Sequence, residues 1–220
     1  MGVAGQVRPR RRAEEAHCTP HGKRASWSGN RRNTFLIATN FTKTAYQIQY
    51  IGVIKMVNFK SFYGTITMIS DFNIGQNGEG EGCYKLISVT DGAGAIVNFI
   101  ASPTTYFVEH AVVAVGDNVT GYYDGNVPVI LIYPPQYQAL VMVKANPRQN
   151  VKVDYFNNQL VSSDGQLKLN LSPATQIVLT NGQPFSRNPS NRNLIVIYGP
   201  STFSIPAQTT PIRIIVLCYK

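Results

Sequence analysis

Short stretches of alternating or continuous hydrophobic residues fill the chain from residue 62 onward, and turn-forming residues separate them. Residues 166–171 (QLKLNL) alternate with period two, which is typical of a strand with one wet face and one buried face. Similar runs bounded by Gly, Pro, Asn and Asp recur along the rest of the chain. The pattern therefore predicts an all-β fold.

The predicted strands fall into two groups on either side of a polar, proline-containing linker at residues 146–150. Before the linker they lie at residues 63–69, 83–89, 95–100, 105–108, 118–123 and 138–144. After it they lie at residues 151–156, 166–171, 175–179, 193–198 and 211–218. Between the first two predicted strands, residues 73–82 form a loop rich in Gly and Glu, as expected of a long hairpin tip.

Residues 91–144 and 164–218 repeat the same order of elements. The motifs DG, SPTT and PPQ of the first part correspond to DG, SPAT and PAQ of the second. The spacing agrees, since Pro103 precedes Pro134 by 31 positions (134 − 103) and Pro173 precedes Pro206 by 33 (206 − 173). This duplication predicts two similar small β domains.

Five main strands, with a short element between the third and fourth, are the plan of an OB-fold. We therefore predict two tandem small antiparallel OB-like barrels, at residues 56–145 and 146–220, of which the second is smaller and degenerate. Their closing strands are expected to pack together. Another small antiparallel barrel or a sandwich remains the alternative.

The net charge of +9 is confined almost entirely to the N-terminal quarter of the chain. Residues 1–55 contain ten Lys and Arg against Glu14 and Glu15, which gives +8, and the remaining residues contain ten basic and nine acidic side chains, which gives +1. Residues 1–34 show no periodic pattern, and we predict that residues 1–55 form a disordered basic tail. The near-neutral body argues against a nucleic-acid-binding surface, because that binding depends on neutralised phosphates.

Residues 1–55 also allow a different explanation. The sequence IGVIKM at residues 51–56 can be encoded by a purine-rich ribosome-binding sequence followed by a start codon at Met56. We therefore expect either a real basic tail or an upstream segment translated from a misplaced start, and the codons at Gly52 and Val53 would distinguish the two.

The three cysteines, Cys18, Cys83 and Cys218, are too scattered for a disulfide framework or a zinc site. A Cys83–Cys218 bridge is possible, but two buried free thiols are favoured, and they suggest a reducing, cytoplasmic location. No apolar stretch approaches the roughly 20 residues that span a bilayer, so no membrane span is expected.

Groups suited to catalysis are few. His110 is the only histidine after residue 21, and most carboxylates of the body lie in turns or at strand ends. Glu79 and Glu81 lack the further oxygen ligands of a calcium site, and the glycines around them do not form a phosphate-binding loop. The protein is therefore predicted to be no enzyme, with no metal and no cofactor.

Aromatic residues are the remaining candidates for ligand binding. In an OB-fold, ligands bind on the face of the second and third strands and at the neighbouring loops. The corresponding residues here are Tyr84, Phe99, Tyr106 and Tyr122. Their rings are predicted either to stack on bases or sugars or, as the favoured interpretation, to fill the core and the contact between the two units.

The motifs YPPQY at residues 133–137 and SIPAQTTP at residues 204–211 resemble those of a group of small uncharacterised proteins from endospore-forming Gram-positive bacteria. The resemblance covers about residues 56–220. It implies a tandem β-barrel fold and carries no established activity, ligand or site residue.

Three functions are compatible with these patterns. The favoured one is a non-enzymatic binding or assembly module, with a protein partner or a second copy of the chain as its target. The second is single-stranded nucleic-acid binding through the OB face, which is not favoured. The third is a structural protein of the envelope or the spore surface, compatible with low charge and the many tyrosines.

Overall fold

The computed structural model describes residues 57–73 and 82–218, together with Gly2. Residues 57–73 and 82–218 belong to one compact unit, Gln49–Lys220. They are 48% strand and contain no α-helix, so the all-β prediction is confirmed. The predicted basic tail, Cys18 and most of the loop at residues 73–82 lie outside the described residues.

The larger sheet is formed by seven strands of the described chain. They are β1 (Phe59–Asp71), β2 (Lys85–Thr90), β3 (Ile96–Ala101), β4 (Tyr106–Phe107), β5 (Asn118–Asp124), β6 (Gln136–Gln138) and β7 (Val141–Lys144). Their order is β4-β7-β5-β1-β2-β3-β6. β1 therefore lies at the centre, where it pairs antiparallel with both β2 and β5.

The second half of the described chain forms a four-stranded and a two-stranded sheet. Its strands are β8 (Asn150–Phe156), β9 (Leu167–Leu169), β10 (Gln176–Leu179), β11 (Arg192–Tyr198), β12 (Ala207–Thr209) and β13 (Pro211–Leu217). Their orders are β10-β13-β11-β8 and β12-β9.

The strands wind into a β-solenoid of about three turns, so the prediction of two tandem OB-like barrels is wrong. Four strand pairs are parallel: β3 with β6, β4 with β7, β9 with β12 and β10 with β13. Their partners lie between 35 positions (141 − 106) and 40 positions (207 − 167) apart. Parallel pairing of segments one winding apart suits a solenoid, whereas hydrophobic periodicity shows where strands lie and not which strands pair.

Hydrogen bonds recur at corresponding positions of the two repeated segments. The Thr105 hydroxyl donates to the Ala139 carbonyl at 2.7 Å, and the Thr175 hydroxyl donates to the Pro211 carbonyl at 2.9 Å. Both bonds tie the SPTT or SPAT turn to the start of a closing strand. The division of the chain at residues 145 and 146 stays a prediction.

Three hydrophobic clusters form the core of the described residues. The first lies within the larger sheet around Phe99, and the third lies within the second half around Phe156. The second cluster joins the halves, because Val141 and Val143 of β7 lie in it together with Ile215 and Leu217 of β13. The expected contact between the closing strands is therefore present.

The two described cysteines differ from expectation in one respect. Cys83 and Cys218 are free thiols, but both are exposed, so the prediction that they are buried is wrong. Cys83 lies in the turn before β2, and Cys218 directly follows β13. Their positions at strand ends explain the exposure, because loops and termini of strands lie at the surface.

Candidate functional site

The four aromatic residues predicted to face a ligand do not form one surface. Phe99 is fully buried in the first hydrophobic cluster, whereas Tyr106 and Tyr122 both pack against the second. Tyr84 is half-buried just before β2, where its carbonyl accepts the backbone N–H of Phe72 at 2.9 Å. The structure thus brings together Tyr106 and Tyr122 and separates the other two from them.

Tyr106 and Tyr122 lie where the two halves meet. The Tyr122 hydroxyl donates a long hydrogen bond of 3.4 Å to the Val151 carbonyl. Burial raises the pKa of Tyr122 to about 12, with smaller contributions from Tyr198 and Asp154. Burial also raises the pKa of Tyr106, although a nearby arginine opposes that shift. Both side chains therefore act mainly in packing.

A stacked pair of tyrosines lies on the other side of the same strand. Tyr123 of β5 and Tyr137 of β6 have ring centroids 3.9 Å apart and planes 17° from parallel. Phe99 lies tilted beneath both rings, at 6.3 Å and 6.5 Å. Burial raises the pKa of Tyr123, and the adjacent Tyr137 raises it further. Successive residues of a strand point to opposite faces, so Tyr123 faces away from the contact that Tyr122 makes.

These two tyrosines form part of the wall of a cavity of about 460 Å³. Most of its lining is apolar, and Asp124, Gln136 and Gln138 contribute the polar side chains. Ligand sites are typically apolar cavities of about 300–1,000 Å³ with a few polar groups. The remaining lining residues are Val57, Ile100, Val127, Pro128, Val129, Ile130 and Leu140.

Residues 127–133 (VPVILIY), here named the apolar loop, form one side of this cavity and continue beyond it. Large apolar side chains are exposed along this segment. Leu131 is fully exposed, at 101%, and Tyr133 is 80% exposed. The N–H of Ile132 donates to the Ile130 carbonyl at 2.9 Å, a γ-turn that places Leu131 at the tip. Sequence reasoning left this run without a role, although its apolar character was visible.

The apolar loop lies in an uncharged part of the chain. No charged residue occurs between Asp124 and Lys144. Monomeric soluble proteins rarely expose contiguous apolar patches larger than a few hundred Å², and those that do commonly use them to bind partners or membranes. The loop is therefore the strongest candidate for a docking surface in the described residues.

The second repeat carries a related but weaker feature before Pro206. Phe203 and Ile205 are exposed there, and the peptide bonds before Pro134 and Pro206 are both cis. Hydroxyl groups alternate with these apolar side chains, and Ser204 donates to the Pro206 carbonyl at 2.8 Å. The continuous apolar run is thus confined to the first repeat.

Val57 adds to the wall of this cavity. It is buried and is the first residue of the described range 57–73.

A second, polar group of residues lies where the two halves meet. Glu109 and His110 both have left-handed backbone conformations, at φ 57° and 53°, which are unusual for residues other than glycine. The Arg213 guanidinium donates to the Gln176 side-chain oxygen at 2.9 Å and 3.1 Å, and lies 3.8 Å from the Glu109 carboxylate. The positive charge of Arg213 therefore has polar partners within the fold.

His110 and Cys218 line one cavity of about 710 Å³, which sequence reasoning did not bring together. The imidazole lies edge-on to the Tyr106 ring, with centroids 5.6 Å apart. Within residues 57–73 and 82–218, no three His, Cys, Asp or Glu side chains are grouped so as to hold a metal ion. This arrangement suits side-chain packing where the two halves meet better than it suits catalysis or metal binding.

No helix in the described part of the chain has the length and apolar character needed to cross a membrane. Comparison of the sequence with protein-family models and curated proteins, and of the fold with solved structures, finds no match.

Proposed function

We propose that the protein is a non-enzymatic docking module that attaches to an apolar surface through the apolar loop. The observation that carries the proposal is the continuous exposed run ending at Tyr133, with a fully exposed Leu131 at its tip. Exposing such a run to water is unfavourable, because burial of each large apolar side chain is favourable by about 1.5–3 kcal/mol. A partner surface that covers the loop would therefore be bound with a favourable free energy.

The stacked tyrosines support the same role. Tyr123 and Tyr137 form a base beside the loop, and the cavity that they line together with the loop has room for a side chain or a short apolar segment. Tyrosine offers large contact area at a low cost in conformational entropy, which is why it is enriched in binding surfaces. The loop and the tyrosine cavity therefore form one continuous docking surface.

Catalysis and nucleic-acid stacking receive less support from the geometry. His110 packs against Tyr106, and no hydrogen bond from the described residues orients its imidazole as a base. The Phe99 ring is fully buried and is not available to stack on a base. We therefore propose no activity, and single-stranded nucleic-acid binding stays an untested prediction.

We also propose a cytoplasmic location. Cys83 and Cys218 are exposed and free, which suits a reducing compartment. A location at the cell or spore surface would expose both thiols to oxidants. Thiol alkylation in intact cells, followed by mass spectrometry, would distinguish the two, because a cytoplasmic protein is recovered with both thiols reduced.

Photocrosslinking in the native host tests the docking role. Leu131 is replaced by p-benzoylphenylalanine, and Val112 provides the control because it is an apolar residue exposed to 86% outside the apolar loop. We expect a discrete set of adducts at position 131 that is absent at position 112. Equal products at the two positions, or none at position 131, would show that the loop has no docking role.

A further inference from the structure

We propose that the partner of the apolar loop is the same loop of a second copy of the chain, and that the two loops pair antiparallel about a twofold axis at Leu131. This inference rests on the proposed docking function and identifies its target. Three features of the loop carry it: backbone groups without partners, their symmetric spacing about Leu131, and the lack of charge around them.

The loop has backbone donors available for pairing. Two of the six N–H groups in residues 127–133 are bonded within the described chain, to the carbonyls of Asp124 and Ile130. The four without a hydrogen bond to any described residue are those of Val129, Ile130, Leu131 and Tyr133. Removing such groups from water is unfavourable unless acceptors replace the water. A partner that covers the loop must therefore supply carbonyl oxygens.

Three of these donors have the spacing of one strand edge. Val129, Leu131 and Tyr133 alternate along the chain, and alternate residues of an extended segment direct their N–H and C=O groups to the same side. Their carbonyls accept no hydrogen bond from the described residues. The γ-turn uses the Ile130 carbonyl and the Ile132 N–H, so both backbone groups of Leu131 between them stay free. The loop thus offers a short free edge centred on Leu131.

Two copies of this edge are complementary to each other. About a twofold axis at Leu131, the two Leu131 residues exchange both backbone hydrogen bonds, and Val129 of each copy does the same with Tyr133 of the other. All three donors of each copy then meet carbonyl acceptors. The side chains that lie opposite each other are all apolar, and pairs of aromatic and β-branched residues stabilise antiparallel strands.

Prolines confine the pairing to this segment. Pro128 and Pro134 lie three positions to either side of Leu131 (131 − 128 and 134 − 131), so they lie opposite each other in this register. That position is a non-hydrogen-bonded pair, where a missing N–H removes no bond between the copies. Pro135 lies at the next hydrogen-bonded position and ends the ladder. The contact therefore closes as a dimer.

The lack of charge favours a second copy as the partner. A twofold interface places the same surface on both sides, so a charged side chain near the axis faces its own charge. No charged residue occurs between Asp124 and Lys144. Free strand edges commonly carry charged residues that prevent such self-association, and this edge has none.

Sedimentation equilibrium of the full chain tests the proposal, and we expect a reversible equilibrium between monomer and dimer. Leu131→Asp and Leu131→Lys should each weaken the dimer about tenfold or more, because like charges then lie opposite each other at the axis. An equal mixture of the two variants should recover the dimer, because Asp then lies opposite Lys. Val112→Asp and Val112→Lys, at a position exposed to 86% outside the loop, should dimerise like the unaltered chain.

Crosslinking tests the register. With Cys18, Cys83 and Cys218 replaced by Ser, mild oxidation of Leu131→Cys should give a covalent dimer, because residues paired at the axis have Cα atoms about 5.5 Å apart. Val112→Cys should give none. A chain that is monomeric at every concentration, a mixture of charged variants that dimerises no better than either alone, or equal crosslinking at the two positions would overturn the proposal.

The outcomes distinguish this inference from the docking function on which it rests. Covalent dimers of the chain from benzoylphenylalanine at position 131, together with recovery of the dimer in the mixture, would support both. Adducts of position 131 with another protein, together with a monomeric purified chain, would overturn the second copy as partner and leave docking intact. Absence of both adducts and dimers would overturn the two together.

Discussion

The ring of Phe99 lies against the backbone of Gly121, so that a Cβ placed on Gly121 would lie only 2.4 Å from the ring Cζ. Phe99 belongs to β3 and Gly121 to β5, and the ring fills the space that a side chain on β5 would occupy. Glycine weakens the interior of a strand and often marks a place where another group approaches the backbone closely. Here the close approach of a core aromatic ring explains the glycine.

We expect Gly121→Ala to destabilise the fold by about 1–3 kcal/mol, because the added methyl overpacks the core. Gly92→Ala is the matched control, since a Cβ at Gly92 meets nothing within 4 Å, and its effect should stay within about 0.5 kcal/mol. Urea unfolding measures both. The cost of Gly121→Ala should shrink in a Phe99→Leu background, and equal costs in both backgrounds would contradict the assignment.

The buried Tyr122 makes stability depend on alkaline pH. An unfolded tyrosine ionises near pH 10, whereas the pKa of Tyr122 in the fold is raised to about 12 by burial. Its contribution is therefore fully present below about pH 10 and is lost as the pH rises toward 12, on the order of 2 kcal/mol in total. Denaturant unfolding across this range measures the decline.

Tyr122→Phe is the control for that decline. It removes the ionisable group and only a long hydrogen bond to the Val151 carbonyl. The variant should therefore lose less stability between pH 10 and pH 12 than the unaltered protein, although other tyrosines keep part of the slope. Identical pH profiles for the two proteins would show that Tyr122 titrates normally.

Because the hydrogen bonds of Thr105 and Thr175 lie at corresponding positions, we expect their loss to destabilise the fold to a similar extent. Thr105→Val and Thr175→Val each remove a hydroxyl that donates to a carbonyl at the start of a closing strand, and each should cost about 0.5–1.5 kcal/mol. Thr104→Val, at an exposed position beside the first of these, should cost less than about 0.5 kcal/mol. Thermal or urea unfolding measures the three variants. If Thr104→Val lowers the free energy of unfolding as much as the other two substitutions do, the two hydrogen bonds do not stabilise the fold as expected.

Asp164 should make the stability of the fold depend on pH in the acid range, but more weakly than Tyr122 does in the alkaline range. Partial burial alone would raise its pKa, but hydrogen bonds from Lys152, Ser162 and the Gln166 backbone lower the pKa overall. Its contribution is thus present above about pH 4 and is lost as the pH falls through the lowered pKa. Because the carboxylate is 41% exposed, solvent screening keeps the effect below about 1 kcal/mol.

Asp164→Asn should flatten the acid limb of the stability profile, and Lys152→Gln should do so in part because it removes the paired cation. Equilibrium unfolding between pH 2 and pH 5 measures the limb. An unchanged acid limb in Asp164→Asn would place the dependence on other carboxylates.

The positions of the strands could be predicted from the sequence, but their arrangement could not. Alternating and continuous apolar runs placed strands at residues 118–123 and 193–198, close to β5 (Asn118–Asp124) and β11 (Arg192–Tyr198). Such runs report burial, which is local. The choice of partner depends on residues 35 to 40 positions away, so the same strands were assigned to barrels rather than to a solenoid.

The candidate site shows a similar limit. Period-two alternation implies that Tyr122 and Tyr123 face opposite sides, but it does not say which side is the core contact and which is the cavity. Nor does the sequence distinguish a buried apolar run from an exposed one, and residues 127–133 read like interior residues. Only the fold shows that Leu131 is outside.

The prolines of the apolar loop have one more consequence. Six- or seven-residue segments of high β-propensity, without charge and without proline, tend to stack into cross-β fibrils, and residues 127–133 have that composition except for Pro128. Pro128 within the segment, and Pro134 and Pro135 directly after it, cannot donate to such a ladder and so serve as gatekeepers. These prolines allow the protein to expose an apolar segment at its surface while they oppose the stacking of that segment into amyloid fibrils.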